Sequence, residues 1–164
     1  MKLRALEPED VDLLLAIEND ETLWQVGSTN APFSRYALTN YILTNQNDIH
    51  LDLQLRLVVE EQGETIGFVD LSGFSPQHRR AEIGIALLPH HRHKGFGKRA
   101  LTLLLDYTHR HLPISTLFAV VSDDNEDAIR LFESAGFTLT ATLPCWLRTP
   151  QGTPKNAKLF IIHL

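Results

Sequence analysis

The chain has 164 residues, is 43% hydrophobic and carries a formal net charge of −5, which suits one core and a single domain over 1–164. The acidic balance argues against general nucleic-acid binding, which needs a basic face to replace phosphate counterions. No apolar run approaches the roughly 18 residues of a membrane span, and the opening stretch from Met1 to Leu6 is too short and interrupted for a signal sequence, so a soluble, cytoplasmic protein without a membrane partner is expected.

In chain order, Lys2 to Leu6 can form a short strand, and Pro8 inside the acidic run Glu7 to Asp12 opens a helix carrying Val11, Leu14, Leu15 and Ile17. Ser34 to Asn47 reads as a second, weaker helix. Leu55, Leu57 and Val59 alternate with polar residues up to the turn Glu61-Gln62-Gly63-Glu64, after which Ile66 to Leu71 resumes an extended apolar pattern, the signature of a hairpin. Ala81 to Leu88 is a buried strand stopped by Pro89. Gly97 to His111 shows apolar residues at helical spacing and ends before Pro113. Leu117 to Val121 is a short apolar strand, and Asp123-Asp124-Asn125 starts a helix capped by Gly136 at its end. Phe137 to Leu143 and Ala157 to His163 are the last strands, joined through a loop with Pro150, Gly152 and Pro154. The single cysteine, Cys145, reads as a small hydrophobe near a strand end. The order is mixed α/β.

One segment breaks a local rule. Helix N-termini carry unpaired N–H groups and partial positive charge, so acids are favoured there. Yet Lys94, Lys98 and Arg99 crowd the start of the helix after Gly97, and no Asp or Glu occurs from Ile83 to Leu105. Each misplaced cation costs a few tenths to about 1 kcal/mol, a cost that a bound anion would offset. Gly95 and Gly97, without Cβ atoms, let the backbone approach a phosphate and point N–H groups at it. A P-loop does not fit, since Arg99 follows Lys98 and Arg92 stands where its first glycine is required. A dinucleotide fingerprint fails at Ala100, three residues after Gly97.

The segment Arg92-x-x-Gly95-x-Gly97 resembles the acetyl-CoA signature of the GNAT acetyltransferases, [RQ]-x-x-G-x-[GA]. The resemblance extends to His78-Arg79-Arg80-Ala81-Glu82, Pro89, Arg99-Ala100, Asn125-Glu126-x-Ala128-Ile129 and Gly136-Phe137. With Arg4-Ala5-Leu6-Glu7-x-Glu9-Asp10 at the start and Gly152-x-x-x-Asn156-Ala157 near the end it covers essentially the whole chain, and it is nearest the bacterial spermidine and ribosomal-protein N-acetyltransferase branch. It implies a GNAT fold of the α/β (α+β) class: a mixed sheet of about seven strands, splayed in the middle, with about four helices. It also implies acetyl-CoA as cosubstrate and direct attack of a primary amine on the thioester in a ternary complex. On the matching positions Ile85, Ala86 and Leu87 would line the pantetheine arm, and Arg92, His93, Lys94, Gly95, Phe96, Gly97 and Lys98 would bind the pyrophosphate. Asn125 would contact the cofactor, cap its helix, or both. Phe132 stands where the family carries a tyrosine that protonates the departing thiolate. Glu82 matches the general base, with a strand-edge ion pair to Arg79 or Arg80 as the alternative. Asp70 would bind an ammonium or share the base role.

The acceptor stays open. The polyamine branch places acids where Val26 to Asn47 here contains none, so a polyamine-like amine, a peptide or protein amine and another small amine remain candidates. Trp24, Phe33, Tyr36 and Tyr41 either line the acceptor cleft or sit in the core. His90, His91 and His93 lie in one loop without cysteine or i,i+4 spacing, so no metal is expected. A homo-oligomer is possible through an edge strand such as Ala157 to His163. The competing reading, prompted by Phe132, is a non-catalytic acyl-CoA-binding module.

Overall fold

The computed structural model describes residues 1–21, 31–149 and 151–164. It has a seven-stranded mixed sheet with strands β1 (Lys2–Arg4), β2 (Leu55–Glu61), β3 (Glu64–Ser75), β4 (Arg80–Leu87), β5 (Thr116–Ser122), β6 (Thr138–Arg148) and β7 (Pro154–His163). Among the described residues the helices are α1 (Val11–Glu18), α2 (Arg35–Thr44), α3 (Ile49–Asp52), α4 (Phe96–His111) and α5 (Glu126–Ser134), with 3-10 turns at Pro8–Asp10 and Pro89–His91. This is the expected α/β architecture. The short helix α3 and the length of the last two strands go beyond the sequence reading.

The sheet order is β1-β2-β3-β4-β5-β7-β6. Strands β1 to β4 form an antiparallel meander. The turn between β2 and β3 is tight because Gln62 and Gly63 both take positive φ, 54° and 84°, the combination that matches strand twist in a two-residue hairpin. The one parallel pair, β4 with β5, is limited to Arg80↔Thr116, Ala81↔Leu117 and Glu82↔Phe118, so the two strands part beyond Glu82. This is the splay the family resemblance implies.

Two corrections concern the last hairpin. Ala157 to His163, expected at an edge, belongs to β7, which pairs with both β5 and β6 and is internal. The edge strand at this end of the sheet is β6, whose Trp146 is 62% exposed. Cys145, expected as a small hydrophobe near a strand end, is exposed. It sits with φ 53° at a register shift between Leu143 and Leu147, where its N–H donates to the Asn156 side chain.

Alternation along the strands puts one sheet face against α4 and α5 and the other against α1 and α2. The first joins Ile83, Leu87, Leu117 and Phe160 to Leu101, Leu104 and Phe132 of the helices; the second joins Val58 and Phe68 to Leu14, Ile17, Leu38 and Ile42. Phe68 and Phe160 are fully buried, each contributing about 1.5–3 kcal/mol by removal from water. Arg4, bonded to Asp10 and Glu60, ties the first turn to β2.

Candidate active site

A cavity of about 610 Å³ opens where β4 leaves β5, and it is lined by Ile85, Ala86, Leu87, Arg92, His93, Gly95, Gly97, Lys98 and Asn125 together with Asp127, Ala128, Arg130, Leu131 and Ser134. Nine positions singled out in the sequence thus come together from β4, the loop after it and the starts of α4 and α5. Asp127, Ala128, Arg130, Leu131 and Ser134 of α5 were not among the expected site residues. Their signal was the helical spacing of Ala128, Leu131 and Ser134 after Asn125, which puts them on one face.

The start of α4 is built to leave donors free. Gly95 is its N-cap in the left-handed region, φ 79°, no side chain caps the helix, and its first turn has no acid. Glycine is needed at Gly95 for that conformation. Gly97 has a different role: a Cβ there would lie 3.3 Å from Leu131 of α5, so its absence lets the two helices pack closely. The cations divide. Lys94 and Lys98 are exposed, whereas Arg99 turns away to Glu61, at 3.0 Å, and over the Phe96 ring. Arg92 donates to the Leu87 carbonyl at 2.9 Å, which fastens the loop to the end of β4. The start of α5 is closed by its own chain, because the Asn125 side chain accepts from the Ala128 N–H at 3.1 Å.

Lys94, Phe96 and Phe132 do not line the cavity. Phe132, expected beside the cofactor sulfur, is 4% exposed and packs edge-on to Phe137 and stacked on Phe160. Phe137, just before β6, and Phe160 of β7 hold its ring in the core.

Glu82 lies at the point of parting. Its carboxylate is faced by the Val120 N–H, a donor of β5 beyond the last paired residue of the parallel ladder. Burial pushes its carboxyl above the usual carboxylate range, and the Val120 N–H offsets part of the rise. Arg79 donates instead to the Pro113 carbonyl, and no ion pair to Glu82 occurs among the described residues.

Asp70 shares that sheet face but has a cation. It pairs across β3 and β4 with Gly84, and Ser72 with Glu82. Arg56 of β2 donates to Asp70 at 2.6 and 3.3 Å and also to Glu18 of α1, with its guanidinium 5.9 Å from the Tyr41 ring centroid and 5.6 Å from that of Phe68. Sequence reasoning missed Arg56, since nothing in the alternation of β2 marks the residue it faces across the strand. Of the aromatic candidates for the acceptor cleft, Tyr41 is partly buried in the α1/α2 layer, Phe33 and Tyr36 are exposed, and Trp24 lies outside the described residues.

The three histidines separate. His93 approaches Asp127, at 3.7 Å, while His90 and His91 both face Glu64 of β3, at 3.9 and 3.1 Å.

Comparison with known proteins agrees with this geometry. The acetyltransferase (GNAT) domain family matches residues 1–138. Spermidine N(1)-acetyltransferase of Escherichia coli K12 is 31% identical over 143 residues, which are 87% of this chain and 75% of the relative. The crystal structure of spermidine N-acetyltransferase from Vibrio cholerae in complex with CoA and spermine superposes with a TM-score of 0.88 at 28% identity, covering 99% of this chain and 94% of the other. A dodecameric structure of the Vibrio cholerae enzyme superposes at 0.81 and 28% identity, covering 99% of this chain and 92% of that one. The chain belongs to the GNAT acetyltransferase family and is an acetyl-CoA-dependent N-acetyltransferase.

Proposed function

We propose that the protein acetylates a primary amine of a polyamine-like acceptor, by direct attack of the amine on the thioester of acetyl-CoA with Glu82 as general base. The observation that carries this reading is the environment of Glu82: a half-buried carboxylate without a cation partner among the described residues, placed where β4 and β5 separate. An alkyl ammonium has a pKa near about 10 and must lose a proton before it attacks, and a base whose own pKa is raised toward neutrality takes that proton more effectively. The carbon–nitrogen bond forms, the carbon–sulfur bond breaks, and CoA leaves as a thiolate.

The cavity supports the cofactor assignments. Ile85, Ala86 and Leu87 offer the backbone of a strand edge to the pantetheine arm, and the uncapped start of α4 with Arg92 and Lys98 offers N–H groups and positive charge to the pyrophosphate. With the Phe132 ring in the core, the thiolate draws its proton from solvent. Asp70, compensated by Arg56, positions the acceptor side of the sheet rather than acting as a base. Relatives that act on spermidine favour the polyamine class, and the relative that forms a dodecamer supports a homo-oligomer.

Release of CoA followed with a thiol reagent, across spermidine, spermine, a simple monoamine and a peptide with a free amino terminus, tests the acceptor. Turnover is expected to be greatest with a polyamine. Turnover confined to the peptide would transfer the assignment to a protein amine, the second reading left open by the acid-free stretch from Val26 to Asn47.

A further inference from the structure

We propose that Glu64, His90 and His91 form a binding site for one divalent transition-metal ion of the zinc class, at the base of the loop that leads into α4. Their ligand atoms all lie within 4.8 Å of one another. The Nε2 atoms of both histidines approach the same carboxylate oxygen, Glu64 Oε1, at 3.1 Å from His91 and 3.9 Å from His90. The second imidazole stands with its ring centroid 4.0 Å from the first, so two ring nitrogens and one carboxylate oxygen converge; the loop spacing that predicted no metal could not show Glu64, which comes from a distant strand.

Zinc binds imidazole nitrogen at about 2.0–2.1 Å and carboxylate oxygen at about 2.0–2.2 Å, so donors around one ion stand roughly 3.4 Å apart. The observed spacings need only small side-chain rotations to reach this. Those rotations fall on His90 and Glu64, which are exposed, while the buried His91 stays in place. The backbones that carry the ligands are already joined. Leu88 N–H donates to the Ile66 carbonyl at 3.0 Å, and His91 N–H to the Leu88 carbonyl at 2.9 Å, so the strand start bearing Glu64 and the 3-10 turn bearing both histidines are held in register. Two imidazoles with one carboxylate select zinc, cobalt, nickel or copper over magnesium or calcium, which prefer all-oxygen sites. Water completes the coordination.

Acetyl transfer draws nothing from this ion. The ion fastens the hairpin between β2 and β3 to the residue directly before Arg92, and so acts on the loop that shapes the cavity.

The test is calorimetric titration of tag-free, chelator-treated and desalted full-length protein with zinc chloride. The parent is expected to bind one zinc ion, and Glu64→Gln and His90→Gln are each expected to weaken that binding about tenfold or more, since loss of a direct ligand costs at least what loss of a supporting partner does, ~10–100-fold. Both substitutions fall on exposed side chains and keep the fold. Absence of saturable binding to the parent, or an affinity unchanged in either variant, would overturn the proposal.

Discussion

Glu82 and Asp70 stand on the same face of the sheet on adjacent strands, and their surroundings make them chemically opposite. Asp70 is held by Arg56, which also serves Glu18, so its charge is compensated within the layer between β2, β3 and α1. Glu82 has the N–H of Val120 and partial burial. Burial raises the pKa of a carboxylate, and makes it a stronger base, only where packing withholds a cation. The two helix starts that meet at the cavity differ in the same way. Asn125 satisfies the start of α5 and two acids follow it, whereas α4 begins at Gly95 with no cap and no acid, leaving its donors for a ligand.

The largest expected effect comes from removing the base. Glu82→Gln keeps an oxygen to accept from Val120 but cannot take a proton, so steady-state turnover should fall by about 10²-fold or more, with acetyl-CoA affinity by calorimetry nearly unchanged. Loss of affinity in step with the rate would show that Glu82 holds the cleft together rather than acting in the chemistry.

Next in size is the change that makes Asp70 resemble Glu82. Arg56→Met removes the cation that Asp70 and Glu18 share. Because the Arg56 side chain retains 22% exposure, the loss of stability in urea unfolding should be about 2 kcal/mol, below the ~3–5 kcal/mol of a fully buried broken pair. A shift under a few tenths of a kcal/mol would mean that the pair contributes nothing beyond an ordinary surface bridge.

The helix starts are compared by two smaller changes. Gly95→Ala forces a Cβ into the left-handed region and should cost about 1.5 kcal/mol of stability, together with a several-fold loss of acetyl-CoA affinity because the N–H groups of the turn shift. Asn125→Ala removes a cap and should cost about 1 kcal/mol, read as a lower urea midpoint. Equal losses of cofactor affinity from both would erase the distinction between an open and a closed helix start.

Much of this was legible locally. Pro8, Ser34, Pro89, Gly95, Asn125 and Gly136 punctuate elements whose apolar spacing identifies them, and the cations of α4 stood out against a rule of helix ends. What was not legible depends on contacts distant in sequence. Periodicity does not say that β7 enters between β5 and β6, because pairing order is a property of the assembled sheet. Arg56 meets Asp70 across a strand and Glu18 across a layer, and Glu64 meets His91 across 27 residues. Phe132 fits a helical face in either orientation, and only the presence of Phe137 and Phe160 decides that its ring lies in the core.

The most direct test of the central claim is the pH dependence of kcat/KM for acetyl transfer in the parent and in Glu82→Gln, measured with the best amine of the panel. Deprotonated Glu82 is the active form, so the parent rate should rise with pH through an inflection above the ordinary glutamate value of 4.5, and that limb should be absent from the variant. The same limb in both proteins would contradict the account and assign the proton transfer to another group.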